Sequence, residues 1–306
     1  MQRTLSNPIA FDGIGLHTGE PVSMRVLPAE AHAGITFRRT DLDAEIGCIP
    51  ARWDNVEHAQ LCTRLSNGQG ATVSTVEHVM AALAGCGVHN AVVEIDGPEV
   101  PVMDGSAAEF VAGFLRVGLT EQSAPVTLMV VRKEVVIEDG QSWLRLLPSD
   151  RFLMEYGIEF EDSAIGRQHL TLDLANGCFV RELADCRTFC RQRDVDLMRA
   201  NGLARGGSYQ NAVVVDDARV LTPGGMRHGD EPVRHKMLDA VGDLSLAGGP
   251  LLGHYQAFRG GHALTNQLLR KAFATPGAIE PVAALPMHEA RLPGFGILAT
   301  DLRAVA

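Results

Sequence analysis

The sequence predicts an α+β fold of two similar domains, each a mainly antiparallel sheet with helices packed on it. Three observations carry that prediction. Apolar residues alternate with polar ones in short runs bounded by turn residues, as in Val22-Ser-Met-Arg-Val26 and Ile35-Thr-Phe-Arg-Arg39, which is the pattern of half-buried strands. Helical segments interrupt these runs, and the order of elements in the first half returns in the second. Two helices also echo each other, since Val76, His78, Met80 and Gly85 match Val233, His235, Met237 and Gly242 at a constant offset of 157. In duplicated halves a pseudo-twofold would bring His78 and His235 together at the interface between domains, a common place for a site. Asp239 faces Ala82 in that alignment, so the chemistry is not symmetric.

Taken in order, Gly13-Ile-Gly15-Leu-His-Thr-Gly19 is a glycine-punctuated loop without the apolar strand and following helix of a dinucleotide fingerprint. Ser74-Thr-Val-Glu77 has the spacing of a capping box and opens a helix through Val79, Met80, Leu83 and Ala84, which Gly85 and Gly87 end. A strand follows at Asn90 to Ile95, with a second helix at Ala107 to Leu115. Thr120 to Pro125 is polar and patternless, which sets the domains at 1–122 and 123–274. Further strands are expected at Val126–Val131, Val135–Ile137, Trp143–Leu147, Phe152–Phe160 and Leu251–Phe258. Helical segments are expected near Asp194–Asn201, at Val233–Leu244 and at Ala263–Phe273. Residues 275–306 are Pro- and Ala-rich and form a C-terminal extension of unknown role.

With 306 residues, 46% of them hydrophobic and 21% charged, the chain has the balance of a soluble globular protein with a sizeable core. A net charge of −10 argues against a nucleic-acid surface. Without a leading apolar region or an apolar run of about 18 residues, a cytoplasmic location with no membrane anchor is expected. The six cysteines show no CxxC pair and no disulfide framework, which fits a reducing compartment.

The chemistry concentrates in Val-Arg-His-Lys-Met-Leu-Asp-Ala-Val-Gly-Asp-Leu, residues 233–244. On a helix His235, Asp239 and Asp243 share one face, so an imidazole and a carboxylate can converge on one point. The ordinary alternative is a solvated polar stripe opposite Met237, Leu238, Val241 and Leu244. A catalytic zinc takes three such ligands and keeps a position open, and His78, His235 and Asp239 would supply the set. Glu77 would be a general base, against its alternative as the capping box. His262, at a glycine turn, could protonate a leaving amine with Asp243 tuning its charge, and Thr188 could hydrogen-bond an oxyanion.

Six strings carry a closer likeness: Gly-Leu-His-Thr-Gly (15–19), Ser-Thr-Val-Glu-His (74–78), Met-Asp-Gly-Ser-Ala (103–107), Arg-Thr-Phe (187–189), Val-Arg-His-Lys-Met-Leu-Asp (233–239) and Gly-His-Ala-Leu (261–264). In order along the chain, they resemble the UDP-3-O-acyl-N-acetylglucosamine deacetylases. The resemblance implies two similar α+β domains with helices sandwiched between the sheets. It implies zinc-dependent removal of the N-acetyl group from UDP-3-O-(3-hydroxyacyl)-N-acetylglucosamine, releasing acetate at the committed step of lipid A synthesis. By motif, His78, His235 and Asp239 bind zinc, or iron(II) in its place, Glu77 is the base and His262 the acid. Thr188 assists the oxyanion, and Lys236 and Asp243 support the site. The UDP group implies a diphosphate, for which Arg259 is the candidate because a guanidinium can grip it bidentately; Leu16, Phe160 and Phe189 are further substrate-binding candidates, and a monomer is expected. The chain departs from the family where Cys190-Arg-Gln-Arg193 replaces the small and apolar residues that begin the acyl passage. Rival readings are another zinc amidase or peptidase, which needs no apolar channel, and a non-enzymatic sugar-nucleotide binding module, which needs no metal.

Overall fold

A computed structural model describes residues 1–303. The first sheet has five strands in the order Ile9–Ile14, Pro21–Pro28, Ala91–Ile95, Ile35–Arg39 and Cys48–Pro50. All its pairings are antiparallel except the one between Ile35–Arg39 and Ala91–Ile95. Pro21–Pro28 alternates strictly, with Val22, Met24 and Val26 buried and Ser23 and Arg25 exposed, so period two places one face on the core. The larger sheet has Leu251–Phe258 at its centre, flanked by Ser142–Leu147 antiparallel and by Phe152–Glu159 and Thr127–Val131 parallel. Residues past Ala274 contribute Ile279–Ala283, an edge strand paired with Thr127–Val131. Leu119–Glu121, at the start of the polar stretch, pairs with Arg3–Leu5.

Seven α-helices are described: α1 Glu77–Cys86, α2 Ala108–Val117, α3 Cys178–Glu182, α4 Gln192–Ala200, α5 Glu231–Ser245, α6 His262–Ala274 and α7 Pro286–Glu289. Helices α1 and α5 pack on each other between the two sheets, with α2 on the first sheet's side and α6 on the second's. Their buried side chains merge with both sheet faces into one core that includes Phe37, Phe110, Phe114, Tyr156 and Tyr255. The α+β class with a helical layer between sheets is therefore observed. The polar-stripe alternative for α5 is not, since His235, Asp239 and Asp243 are all buried.

Close approach of α1 and α5 depends on Gly242, where an added Cβ would lie 2.0 Å from the Glu77 carbonyl oxygen. Backbone cannot yield as a flexible side chain does. Gly242→Ala is expected to destabilise the fold by about 1–3 kcal/mol through overpacking. It should also disturb Glu77, the residue it would strike. A thermal midpoint equal to that of the unaltered protein would show that the helices separate without cost.

Two local expectations are corrected. Glu77 is not the partner of a Ser74 cap, because α1 begins at Glu77 with Val76 at the cap position and no side-chain cap bond. Thr75, at φ +58°, breaks the extended chain ahead of the helix and turns Glu77 inward, where Oε2 accepts from the Thr63 amide at 3.0 Å. The glycine loop at 15–19 does follow a strand, Ile9–Ile14, although no helix follows it. Of the cysteines, Cys62, Cys86 and Cys186 are buried, Cys178 and Cys190 are half-buried, Cys48 is exposed, and all six are free thiols.

Candidate metal centre and the cavity beside it

Helix α1 projects His78 and helix α5 projects His235 into the seam between them, where the rings meet edge to face with centroids 5.0 Å apart. Asp239, one turn after His235, enters the same point. Its Oδ1 lies 3.2 Å from His235 Nε2 and 3.5 Å from His78 Nε2. The three residues are between 2% and 5% exposed, and their donor atoms all lie within 4.8 Å of one another.

The hydrogen bonding around this cluster decides what it can hold. His235 Nδ1 is 3.0 Å from the Cys186 carbonyl oxygen, which can only accept, so Nδ1 carries a proton and Nε2 is the nitrogen turned toward Asp239. Asp239 Oδ1 is buried and has no hydrogen-bond partner. A buried acceptor left so costs about 1–3 kcal/mol. Burial also pushes the pKa of His78 down, which keeps its imidazole neutral and able to donate a lone pair. Burial alone would raise the pKa of Asp239, but contact with His235 and Lys236 outweighs it and holds this carboxylate well below its ordinary range. Two imidazole nitrogens and one carboxylate oxygen aimed at a shared point are a fit for a metal ion, which would satisfy all three at once.

Around that point lie the remaining polar residues. Lys236 Nζ donates to the other oxygen of Asp239 at 3.0 Å. His262, the first residue of α6, donates from Nδ1 to Asp243 Oδ2 at 2.9 Å, leaving Nε2 3.8 Å from Glu77 Oε1 and 3.9 Å from Asp239 Oδ2. Burial raises the Glu77 pKa to about 7, with the opposing attraction of His262 too small to prevent it. Burial works the other way on His262, but Asp243 and Glu77 prevail and raise it to about 9. A carboxyl and an imidazole so displaced, side by side, are poised to exchange protons near neutrality.

All of this opens into a cavity of about 1030 Å³ whose wall includes every substrate-binding candidate, Leu16, Phe160, Phe189 and Arg259. Thr188 borders it too, its backbone pinned by an N–H bond to the Gly105 carbonyl and a bond accepted from Val213. Phe160 and Phe189 pack edge to face at 5.5 Å, and Phe189 stands 6.4 Å from the His235 ring. Arg259, at φ +51°, donates to Glu159 at 3.2 Å and to Gln141, so carboxylate and amide share its guanidinium.

Two residues that sequence reasoning missed hold this arrangement. Thr63 links Glu77 to Asp243, its amide donating to Glu77 and its hydroxyl to Asp243 Oδ1 at 2.5 Å. Glu99 is 2% exposed and accepts from the amides of His17 and Thr18 and the hydroxyls of Thr18 and Thr75. It thereby fastens the 15–19 loop to the residue that turns Glu77 inward. A second cluster, Asp185, Cys186 and His228, lacks an orphaned atom of this kind, because His228 Nε2 bonds Asp185 Oδ1 at 2.8 Å.

Comparison with known proteins places the chain. A sequence model described as UDP-3-O-acyl N-acetylglycosamine deacetylase matches residues 2–274. A UDP-3-O-acyl-N-acetylglucosamine deacetylase of Idiomarina loihiensis is 46% identical over 281 residues, covering 91% of this chain and 92% of the relative. Those of Shewanella sp. strain W3-18-1 and Shewanella oneidensis are each 44% identical over 284 residues, covering 92% of both chains. The likeness runs through both sheets and all the helices that carry the metal centre, and the chain belongs to the UDP-3-O-acyl N-acetylglycosamine deacetylase family.

Proposed function

We propose that this enzyme hydrolyses the N-acetyl group of UDP-3-O-(3-hydroxyacyl)-N-acetylglucosamine, releasing acetate, as a zinc-dependent cytoplasmic step of lipid A synthesis. The observation that carries the reading is the convergence of His78 Nε2, His235 Nε2 and the unpartnered Asp239 Oδ1 on one buried point beside an acid–base pair. Bound there, zinc, or iron(II) in its place, would supply Lewis acidity toward the amide carbonyl and a water whose pKa falls to about 7.

The chain's own residues do the rest. Glu77, with its pKa at about 7, takes the proton of the attacking water. Thr188 faces the carbonyl oxygen as it gains charge, with Lys236 holding Asp239 in place. His262, kept cationic by Asp243, protonates the departing amine. Phe160 and Phe189 form an apolar wall for the acyl chain, while Leu16 and Arg259 sit where the nucleotide end would lie, Arg259 toward the diphosphate. We assign residues 1–122 and 123–274 to the two halves, each carrying one of the two larger sheets, and the monomer as the working unit.

Acetate release from UDP-3-O-(3-hydroxymyristoyl)-N-acetylglucosamine, measured against pH, tests this reading. The base works deprotonated, so the rate should rise as pH passes about 7, and the acid works protonated, so it should fall above about 9. Asp243→Asn withdraws the anion that raises His262 and should move the alkaline limb to lower pH. His262→Gln should flatten that limb at a cost of about 10²- to 10⁴-fold. It should also move the acidic limb upward, because His262 opposes the rise of Glu77. No acetate at any pH would defeat the reading outright.

A further inference from the structure

We propose that Asp162 is a positioning residue that clamps the apolar wall of the cavity and so determines how tightly long acyl chains are held, an inference that rests on the deacetylase reading above. The wall is formed by the strand Phe189–Arg191 and helix α4, from which the apolar Phe189, Val195, Leu197 and Met198 border the cavity together with the polar Arg191, Gln192 and Asp194. Its sequence looks unsuited to the task, because Cys190-Arg-Gln-Arg193 sets two guanidinium groups at the start of an apolar surface.

The structure pairs both cations with anions, leaving Arg191 at the border of the cavity and Arg193 outside its wall. Asp162, 8% exposed, presents Oδ2 to Arg191 Nη1 at 3.9 Å and to Arg193 Nη2 at 3.4 Å. Arg191 is held further by Asp194 at 2.6 Å and Arg193 by Glu161 at 3.2 Å. The other carboxylate oxygen of Asp162 accepts from the Asp217 amide at 3.3 Å, and its carbonyl accepts from Ile165 and Gly166, each at 2.9 Å. One residue thus ties together the turn at 160–166, the start of α4 and the turn between the strands Val213–Asp216 and Arg219–Val220.

The consequence for the site follows from what that turn carries. Phe160 begins it, its amide bonded to the Gly166 carbonyl at 3.0 Å, and its ring packs on Phe189, whose ring in turn stands beside His235. Neutralising Asp162 leaves Arg191 and Arg193 without their shared anion. It also weakens the tie between α4 and the Phe160 turn at the edge of the cavity, which then rests on Glu161 and Arg193. Bonds between ionised partners are the stronger ones, so removing this charge loosens the junction while the neutral contacts around it stay in place. A long acyl chain, which needs the whole wall in register, should notice. A short one, which ends before α4, should not.

The test compares Asp162→Asn, which keeps shape and an acceptor but loses the charge, with Asp162→Glu, which keeps the charge. Each is assayed for kcat and KM on UDP-3-O-acyl-N-acetylglucosamines with a long and a short acyl chain, and for amide hydrogen exchange over residues 189–200. Asp162→Asn should raise KM for the long chain about 5- to 10-fold, up to one decade of affinity. The short-chain KM and both kcat values should hold, exchange in α4 should quicken, and Asp162→Glu should recover part of the long-chain KM. Equal losses on both substrates, or an unchanged long-chain KM, overturn the proposal. Should Asp162→Asn fail to fold, Arg193→Gln, on an exposed side chain, must give a smaller change in the same chain-length-dependent direction, and an unchanged long-chain KM overturns the clamp. If the unaltered protein releases no acetate from either substrate, the deacetylase reading is what fails. The clamp is then decided by exchange alone, and protection of α4 unchanged in Asp162→Asn refutes it.

Discussion

His78→Ala and His235→Ala are each expected to lose bound metal and turnover together. The candidate centre offers three protein donors, and the neighbours are committed, Lys236 to Asp239 and Glu77 to the Thr63 amide, so no spare ligand should replace the one removed. Outer partners of a metal site are worth about 10- to 100-fold in metal affinity, and loss of a direct ligand should exceed that. Removing His235 also strands the Cys186 carbonyl, its Nδ1–H acceptor, so this variant should lose some thermal stability as well. Metal content by elemental analysis, beside acetate release, separates the outcomes. A variant that retained a full complement of metal would remove that histidine from the ligand set.

Glu77→Gln should behave differently, keeping the metal while losing about 10²- to 10⁴-fold or more in kcat. Glutamine preserves an oxygen for the Thr63 amide, so the fold around α1 should hold. What it cannot do is accept a proton. Ionised Glu77 also helps keep His262 cationic, so the charge lost should let the pKa of His262 fall from about 9. Residual activity should therefore decline at lower pH than in the unaltered protein. Near-normal kcat with a lowered melting temperature would instead make Glu77 a structural residue.

Much of the centre was legible in the sequence because helical geometry is local. A histidine and an aspartate four residues apart must share a face, and the repeated Val-x-His-x-Met pattern suggested that a second helix faces the first. What could not be read depended on distant contacts. Ser74-Thr-Val-Glu77 fits a capping box as well as it fits an inward carboxylate, and the choice is made by the positive φ of Thr75, whose hydroxyl is held by Glu99. Thr63 and Glu99 sit in unremarkable strings, and only the approach of α1 to α5 and of the 15–19 loop to residue 75 gives them partners. Arg191 and Arg193 interrupt the apolar pattern after Phe189, and nothing local announces that Asp162, about thirty residues earlier, pairs with both. Helix boundaries moved for the same reason: α5 starts at Glu231, before the apolar pattern begins, since Glu231 is fully buried against Arg187.

The central claim is that one metal ion at His78, His235 and Asp239 makes this chain a deacetylase. It is tested most directly by stripping the purified protein with a chelator and adding zinc back in steps while acetate release is followed. Chelation should abolish turnover, and activity should return linearly to a sharp break at one equivalent per chain. In His235→Ala no such break should appear. Full activity in the metal-free protein, or a break that survives loss of His235, would contradict it.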